Sequence, residues 1–335
     1  MEIEKDEVEI LSGVRLGKTL GSPITLLVRN RDWENWKDVM AVEEIQPEPT
    51  KVTRPRPGHS DLAALLKYDS DDIRNVLERA SARETAARTG VGAVCKAFLA
   101  EINVSILSHV LNIGGIRGEQ SPSGIADLPE IDRSPVRCFD QEASRRMTEV
   151  IDKAKLEGET LGGIFEVIAY GVPPGLGSFG QMDLRLDGRL AQALMSIPAI
   201  KGVEIGAGFS LAGLKGSEAH DEIFYEKEKG FYRQTNRAGG LEAGVANGQP
   251  ILLRAVMKPI STLGKPLRTV DILTKEPTKA FKERADVCAV PSAAVVGEAM
   301  VAIELARSVL DKFGGDSLGE LKRNFDGYIA RVKSR

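Results

Sequence analysis

A histidine flanked by arginines and followed by an aspartate can handle a proton and an anion together. The chain offers this at Lys51-Val-Thr-Arg-Pro-Arg-Pro-Gly-His59, followed by Ser60 and Asp61. Pro47, Pro49, Pro55 and Pro57 punctuate the stretch and hold it extended, which suits a loop that mounts a reactive side chain. His59 is one of three histidines. An imidazole there can donate a proton near neutral pH, with Arg54 and Arg56 placed to hold an anion. The alternative is a loop histidine bonded to backbone. His109, in the apolar segment Ser105 to Ile113, reads as a satisfied sheet residue, and His220 as a surface or loop residue.

A second stretch with chemical potential is Glu78-Arg-Ala-Ser-Ala-Arg-Glu-Thr85. Ser81 and Glu84 have the spacing of a capping box. Ala87, Val91, Val94 and Phe98 then predict the inward stripe of a helix. Gly90 and Gly92 lie inside it, where each costs about 1 kcal/mol against alanine, so close packing or function is expected to keep them. Arg79 and Arg83 would stand beside free N–H donors at the positive end of the helix dipole, an anion site by construction. The plainer reading is a capped core helix with two solvated arginines. Lys258-Pro-Ile-Ser-Thr262 follows a strand and could hold a phosphate by one charge and two hydroxyls. Tyr232 to Gly240 reads as an arginine- and glycine-bearing loop. Lys201-Gly-Val-Glu-Ile-Gly-Ala-Gly208 is glycine-rich but lacks the spacing of a dinucleotide fingerprint, and no P-loop is present.

The elements that must position these residues follow from periodicity. Glu7–Leu11 and Pro23–Arg29 predict a hairpin, and a short helix is expected over Asp38–Ile45. Strands are predicted at Ser105–Ile113, Gly163–Val172, Lys201–Gly208 and Pro250–Val256. Gln120–Val136 reads as a variable loop. Helices are predicted from Asp140 to Gly158, from Asp183 to Ile197, and from Ser292 to Phe313, the last with Val295, Ala299, Ile303, Ala306 and Leu310 inward. At 335 residues, with 42% hydrophobic and 28% charged residues, the chain has ample material for a core. A net charge of −3 argues against non-specific nucleic-acid binding. No apolar run can span a bilayer, and the charged start Met1-Glu-Ile-Glu-Lys-Asp-Glu7 is unlike a signal peptide. Three separated cysteines build neither a disulfide framework nor a zinc site, so no metal is expected and the cytoplasm is the expected compartment. The residues alone support a single mixed α and β domain over 1–335.

Several of these stretches together resemble one family. Glu78-Arg-Ala-Ser-Ala-Arg-Glu-Thr-Ala-Ala-Arg-Thr-Gly-Val-Gly-Ala-Val94 is similar to the central signature of the chorismate synthases. Arg54-Pro-Arg-Pro-Gly-His-Ser-Asp61 resembles their second histidine motif. Ser196 to Gly206, Thr235-Asn-Arg-Ala-Gly-Gly240 and Met257-Lys-Pro-Ile-Ser-Thr262 match in family order. Arg284-Ala-Asp-Val-Cys288 with Glu298 resembles the C-terminal signature, with Ala285 where a serine or other small or polar residue is usual.

The resemblance implies an α+β fold, a β-α-β sandwich with central helices between two antiparallel sheets, assembled as a homotetramer. It implies a lyase of the shikimate pathway that converts 5-enolpyruvylshikimate 3-phosphate to chorismate and phosphate by 1,4-anti elimination, using reduced FMN without net redox change. His59 would act beside the flavin as proton donor or electrostatic partner, and Asp286 would assist proton removal near its N5 edge. Arg79, Ala80, Ser81, Pro198, Ala199, the backbone at Ala243, Lys258, Pro259, Ile260, Ser261, Thr262 and Arg284 would contact FMN. Arg56 and Arg83 would contact the substrate. Bifunctional members reduce the flavin with NADPH or NADH, whereas others rely on an outside supply. The family's opening Gly-(Glu/Asp)-Ser-His-Gly motif and its first strand and helix have no counterpart ahead of Met1, a difference of roughly fifty residues by motif spacing. A late-placed start is the expectation. A chain beginning here would lack one of two catalytic histidines, and its alternative role is that of a non-catalytic flavin-binding or oligomer-forming homologue.

Overall fold

The computed structural model describes residues 6–335. The chain divides into two compact units, each assembled from separated segments. The first comprises Met1–Ala87, Lys153–Thr160 and Ile260–Val287, and the second Arg88–Asp152, Leu161–Pro259 and Cys288–Arg335.

The second unit is built on a five-stranded antiparallel sheet. Its strand order is Ile116–Arg117, Ser105–Ile113, Gly163–Tyr170, Ile251–Met257, Ile200–Ile205. The predicted strands are all present, and Ser105–Ile113 keeps its bounds. These runs are rich in β-branched and aliphatic residues with little alternation, as fits strands covered on both faces. On one face, Val110, Phe165, Val167, Leu253 and Ala255 join the main core with the helix Val290–Phe313. Gly297 allows that approach, because a Cβ there would lie 2.8 Å from the Phe165 ring. On the other, Leu107 and Ile168 meet Ile131. Ile131 belongs to a helix, Leu128–Arg133, inside the stretch expected to be a loop. Proline in its first turn and a fully buried isoleucine produce this departure.

The helix Val290–Phe313 is buried nearly all round rather than along one stripe. Ala299 and Ala306 are buried as expected, but Val295 and Ile303 are half-buried and Leu310 is exposed. Neighbours pack on it from several sides, among them the helix Leu186–Met195. That neighbour is shorter than predicted, because a 3₁₀ turn at Met182–Leu184 and extended Arg185 precede it. The helix Glu84–Ala100 also departs from expectation. Its apolar residues Val91 and Val94 are 44% and 38% exposed, while Gly90, Gly92 and Leu99 are buried. The small face, not the large apolar one, is turned inward.

Gly92 explains this. A Cβ built there would stand 2.2 Å from Ala299 Cβ and 2.4 Å from Ala299 Cα. Gly92→Ala is therefore expected to lower stability by about 1–3 kcal/mol by overpacking, against a helix-propensity gain of about 1 kcal/mol. Urea denaturation tests this, and an unchanged or raised midpoint would remove the close approach as the reason for glycine.

In the first unit, Val8–Ser12 and Thr25–Val28 pair antiparallel, as the predicted hairpin requires. The helix expected over Asp38–Ile45 does not form. A single turn, Trp33–Trp36, forms instead, with Asp32 accepting hydrogen bonds from the Asn35 amide and Trp36 Nε1 at 2.7 and 2.8 Å. A small core of Val52, Leu65, Ile73, Val76 and Leu77, flanked by Ile272 and Phe281, supports the proline-rich loop. The described residues include no helix long and apolar enough to cross a membrane and no metal-binding cluster.

Candidate functional site

The loop carrying His59 lies in the first unit and is tied down on both flanks. Val52 N–H donates to Asp72 at 2.9 Å, Ile272 N–H to Thr53 carbonyl at 2.9 Å, and Phe281 N–H to Arg54 carbonyl at 3.1 Å. Proline at 55 and 57 removes two N–H groups that such a segment would otherwise have to satisfy. Gly58, at φ +80°, turns the chain so that His59 N–H donates to Arg56 carbonyl at 3.2 Å. The helix Asp61–Lys67 then begins.

Asp61 is the centre of the cluster that results. It is fully buried. One carboxylate oxygen accepts from both the backbone N–H and the Nε–H of Arg56, each at 2.9 Å. The other accepts from Arg56 Nη2 at 3.1 Å and from His59 Nδ1. Arg56 Nη1 donates to Thr262 Oγ1 at 2.8 Å, bringing a second predicted segment to the first. Burial would raise the Asp61 pKa, but the hydrogen bonds from His59 and Arg56 outweigh it and hold the carboxyl well below the usual carboxylate range. The ionised carboxylate can only accept, so the bridging proton belongs to His59 Nδ1. Nε2 then carries the lone pair of the neutral ring, on a side chain that keeps 23% exposure. The histidine can exchange a proton through Nε2 while Arg56 supplies fixed positive charge beside it. In the sequence Asp61 is only a neighbour of the histidine. Its position two residues after the histidine and opening a helix was the signal available.

The second stretch is built differently from its prediction. Ser81 Oγ accepts from Arg83 N–H at 3.2 Å, not from Glu84. The N–H groups of Glu84, Thr85 and Ala86 donate to the carbonyls of Ser81, Ala82 and Arg83. The expected free donors at the helix start are thus engaged by a tight turn that leads into it. Arg79 falls at the C-terminal end of the preceding helix, Arg74–Arg79, and is exposed. Arg83 pairs with Asp6 at 2.5–2.6 Å through two nitrogens, and this hydrogen-bonded guanidinium lowers the Asp6 pKa.

Arg284 and Asp286 are exposed, in an irregular stretch. It is pinned just upstream, where Arg74 donates to Glu283 at 2.9 Å and its guanidinium lies over the Trp36 and Phe281 rings at 5.1 and 5.7 Å. Ser261 is half-buried, and Ile260 carbonyl accepts from Thr160 Oγ1 at 2.6 Å.

The remaining predicted residues lie in the second unit. Lys258 N–H donates to Ala199 carbonyl at 3.0 Å, joining the Pro198–Ala199 and Lys258–Pro259 segments. Ala199 and Ala243 both adopt left-handed backbone, at φ +67° and +50°, where alanine is uncommon. Ala243 sits in the turn between Leu241–Glu242 and Val245–Ala246 and has no hydrogen bond to either segment among the described residues. In the first unit, Arg79 and Arg284 with the hydroxyls of Ser81 and Ser261 are donors of the kind a phosphate takes. In the second, the Ala199 and Ala243 amides, turned by left-handed backbone, are donors of the kind a flat heteroaromatic ring takes. Both are chemistries that a flavin mononucleotide presents.

The histidine elsewhere in the sheet is only partly satisfied. His109 Nε2 lies 3.2 Å from Glu166, but Nδ1 is buried without a partner. Glu298, grouped by the sequence with the Arg284 segment, is a buried acceptor. Ser108 Oγ donates to it at 2.7 Å, Lys96 Nζ at 2.6 Å and Arg137 Nη2 at 3.1 Å. Its role is to close a polar network in the second unit's core.

Comparison with known proteins identifies the family. The family profile described as Chorismate synthase matches residues 1–310. The chorismate synthase of Geobacter sulfurreducens is 53% identical over an alignment covering 100% of this chain and 87% of that one. That of Aquifex aeolicus is 55% identical, covering 100% and 86%. A solved structure, a crystal structure of chorismate synthase, superposes with a TM-score of 0.80 at 45% identity, over 99% of this chain and 86% of that one. The mixed α/β class with antiparallel sheets and central helices is shared with it. With the histidine loop, the arginine-bearing turn and the Lys258–Thr262 segment all in family order, the chain belongs to the chorismate synthase family.

Proposed function

We propose that the chain is a carbon–oxygen lyase of the shikimate pathway, forming chorismate and phosphate from 5-enolpyruvylshikimate 3-phosphate by 1,4-anti elimination. The observation that carries the proposal is the buried Arg56–Asp61 pair holding an oriented histidine, in a chain of this family. The reaction must expel phosphate from an allylic carbon and remove a proton at the far end of the system. Reduced FMN, when bound, supplies an electron-rich surface for this redox-neutral elimination.

The protein's own part is charge, orientation and proton handling. Arg79, Ala80, Ser81, Ile260, Ser261, Thr262 and Arg284 of the first unit would hold the flavin. Pro198, Ala199, Ala243, Lys258 and Pro259 of the second would do so as well. His59 would present its Nε2 as the proton-exchanging atom, and the Asp286 carboxylate, exposed here, would assist proton removal. Arg56 Nη1 bonds Thr262 through one of its two N–H groups, and the guanidinium charge beside His59 supports Arg56 as an anion contact. Arg83 would serve the substrate once exchanged from Asp6. Four copies form the assembly in this reading.

An anaerobic assay with the substrate and chemically reduced FMN tests it. Release of phosphate and appearance of chorismate, both dependent on reduced flavin, are expected. Flavin binding without turnover would favour the non-catalytic alternative.

A further inference from the structure

We infer that Asp61 is a positioning residue: it fixes His59 as the Nδ1–H tautomer, leaving Nε2 as the ring's acceptor, and in the same contact locks Arg56 against the ring. The inference rests on the assignment of proton transfer to His59 made above, and it adds Asp61 to the residues given a part in it.

The geometry is asymmetric in a way that makes the inference specific. One Asp61 oxygen receives two Arg56 donors at 2.9 Å, and the other faces His59 Nδ1 and Arg56 Nη2 at 3.1 Å. Every group directed at this carboxylate is a donor. Arg56 Nη2 also lies 3.0 Å from His59 Nδ1 and 3.4 Å from Nε2. With Nδ1 protonated toward Asp61, that first approach is between two donors and is no hydrogen bond. The guanidinium therefore stands beside the ring, and the ring nitrogen it can donate to is Nε2, at 3.4 Å. Only the shared carboxylate makes a cation and an N–H compatible at this distance. Thr262 Oγ1 fixes the far end of the guanidinium, so Arg56 cannot turn away to relieve the contact.

Replacement by asparagine then has a defined consequence. The amide oxygen takes the place facing two Arg56 donors, and the amide nitrogen faces His59 Nδ1. A donor there forces Nδ1 to become the acceptor and moves the ring proton to Nε2, the inverted tautomer that disables such a histidine in other acid–base sites.

Nitrogen-15 NMR of the full chain labelled at histidine reads this without any ligand. Three histidines give few signals, and His59→Ala identifies the one of interest. At alkaline pH, where the ring is neutral, the unsubstituted chain is expected to show the proton on Nδ1, and Asp61→Asn to show it on Nε2. In turnover, Asp61→Asn is expected to lower kcat by about tenfold to a hundredfold, within the range of acid–base contributions, with a smaller change in KM. The same substitution in a His59→Ala background is expected to cost markedly less in kcat, the remaining loss being the part carried through Arg56.

A His59 proton on Nε2 in the unsubstituted chain overturns the inference, and this measurement stands even where Asp61→Asn fails to fold. An unchanged tautomer in Asp61→Asn, or equal losses in both backgrounds, also overturns it, since a merely structural aspartate would give either. Near-normal turnover of His59→Ala instead removes His59 from the proposed mechanism, and the tautomer data still decide what Asp61 does.

Discussion

Alanine at position 59 is expected to cut turnover by about 100-fold or more, the lower part of the usual 10²–10⁴ contribution of a positioned acid or base. His59 is held by a turn from Arg56 and by the buried Asp61, so the ring is pre-oriented and its loss leaves a carboxylate that nothing else in the loop can couple to solvent. The loop itself has other anchors, at Val52, Thr53 and Arg54, and removal of the imidazole should leave it in place. The loss should therefore fall on kcat, with KM for the substrate changed little. Single-turnover rates under anaerobic conditions measure it. A rate within tenfold of the unsubstituted chain would show that His59 is not the proton-transferring group.

The second large effect concerns stability. Glu298→Ala is expected to lower the free energy of unfolding by about 3–5 kcal/mol, as removal of one partner from a buried ionic network does. The side chain is 5% exposed and accepts from Ser108, Lys96 and Arg137. Lys96, 39% exposed, can turn to water when its partner goes. Arg137 cannot do so as readily, at 16% exposure and with its Nε already buried without a partner. Glu298→Gln retains an acceptor for Ser108 and should cost about 1–3 kcal/mol, closer to the loss of one charged hydrogen bond. Denaturant midpoints for the two variants provide the measurement. Equal effects, or a loss under 1 kcal/mol for the alanine variant, would contradict the network's importance.

Much of the second unit could be read in advance because its strands are long apolar runs ended by glycines. Ser105–Ile113 and Gly163–Tyr170 needed no tertiary information to be recognised. The helices were harder to orient. Val91 and Val94 carry the periodicity of a core stripe, yet the inward face belongs to Gly90 and Gly92. A hydrophobic pattern reports which side chains avoid water in general, not how near two backbones come. Ile131 was hidden in a polar stretch because a six-residue helix gives too little periodicity to detect.

In the site, motif resemblance located the segments but not their internal bonding. Ser81 was paired with the wrong donor because spacing alone cannot tell a capped helix start from a preceding turn. Asp61 is not legible from spacing because its importance lies in four donors from Arg56 and His59 converging on it, and convergence is a property of folded chains. The capping box at Ser317 and Glu320 that opens the last helix is the reverse case, a spacing rule that the structure obeys.

The contact between Gly92 and Ala299 sets a limit on how the two positions can change through descent. Removing the Ala299 methyl would not make room for a side chain at 92, since the added carbon would still stand 2.4 Å from the Ala299 Cα. The obstruction is main chain, and no substitution at 299 can withdraw it. Ala299→Gly should therefore fail to suppress Gly92→Ala. Position 299 is free to lose its methyl without consequence for its neighbour, while position 92 has no compensating partner and is confined to glycine for as long as the two helices keep this distance.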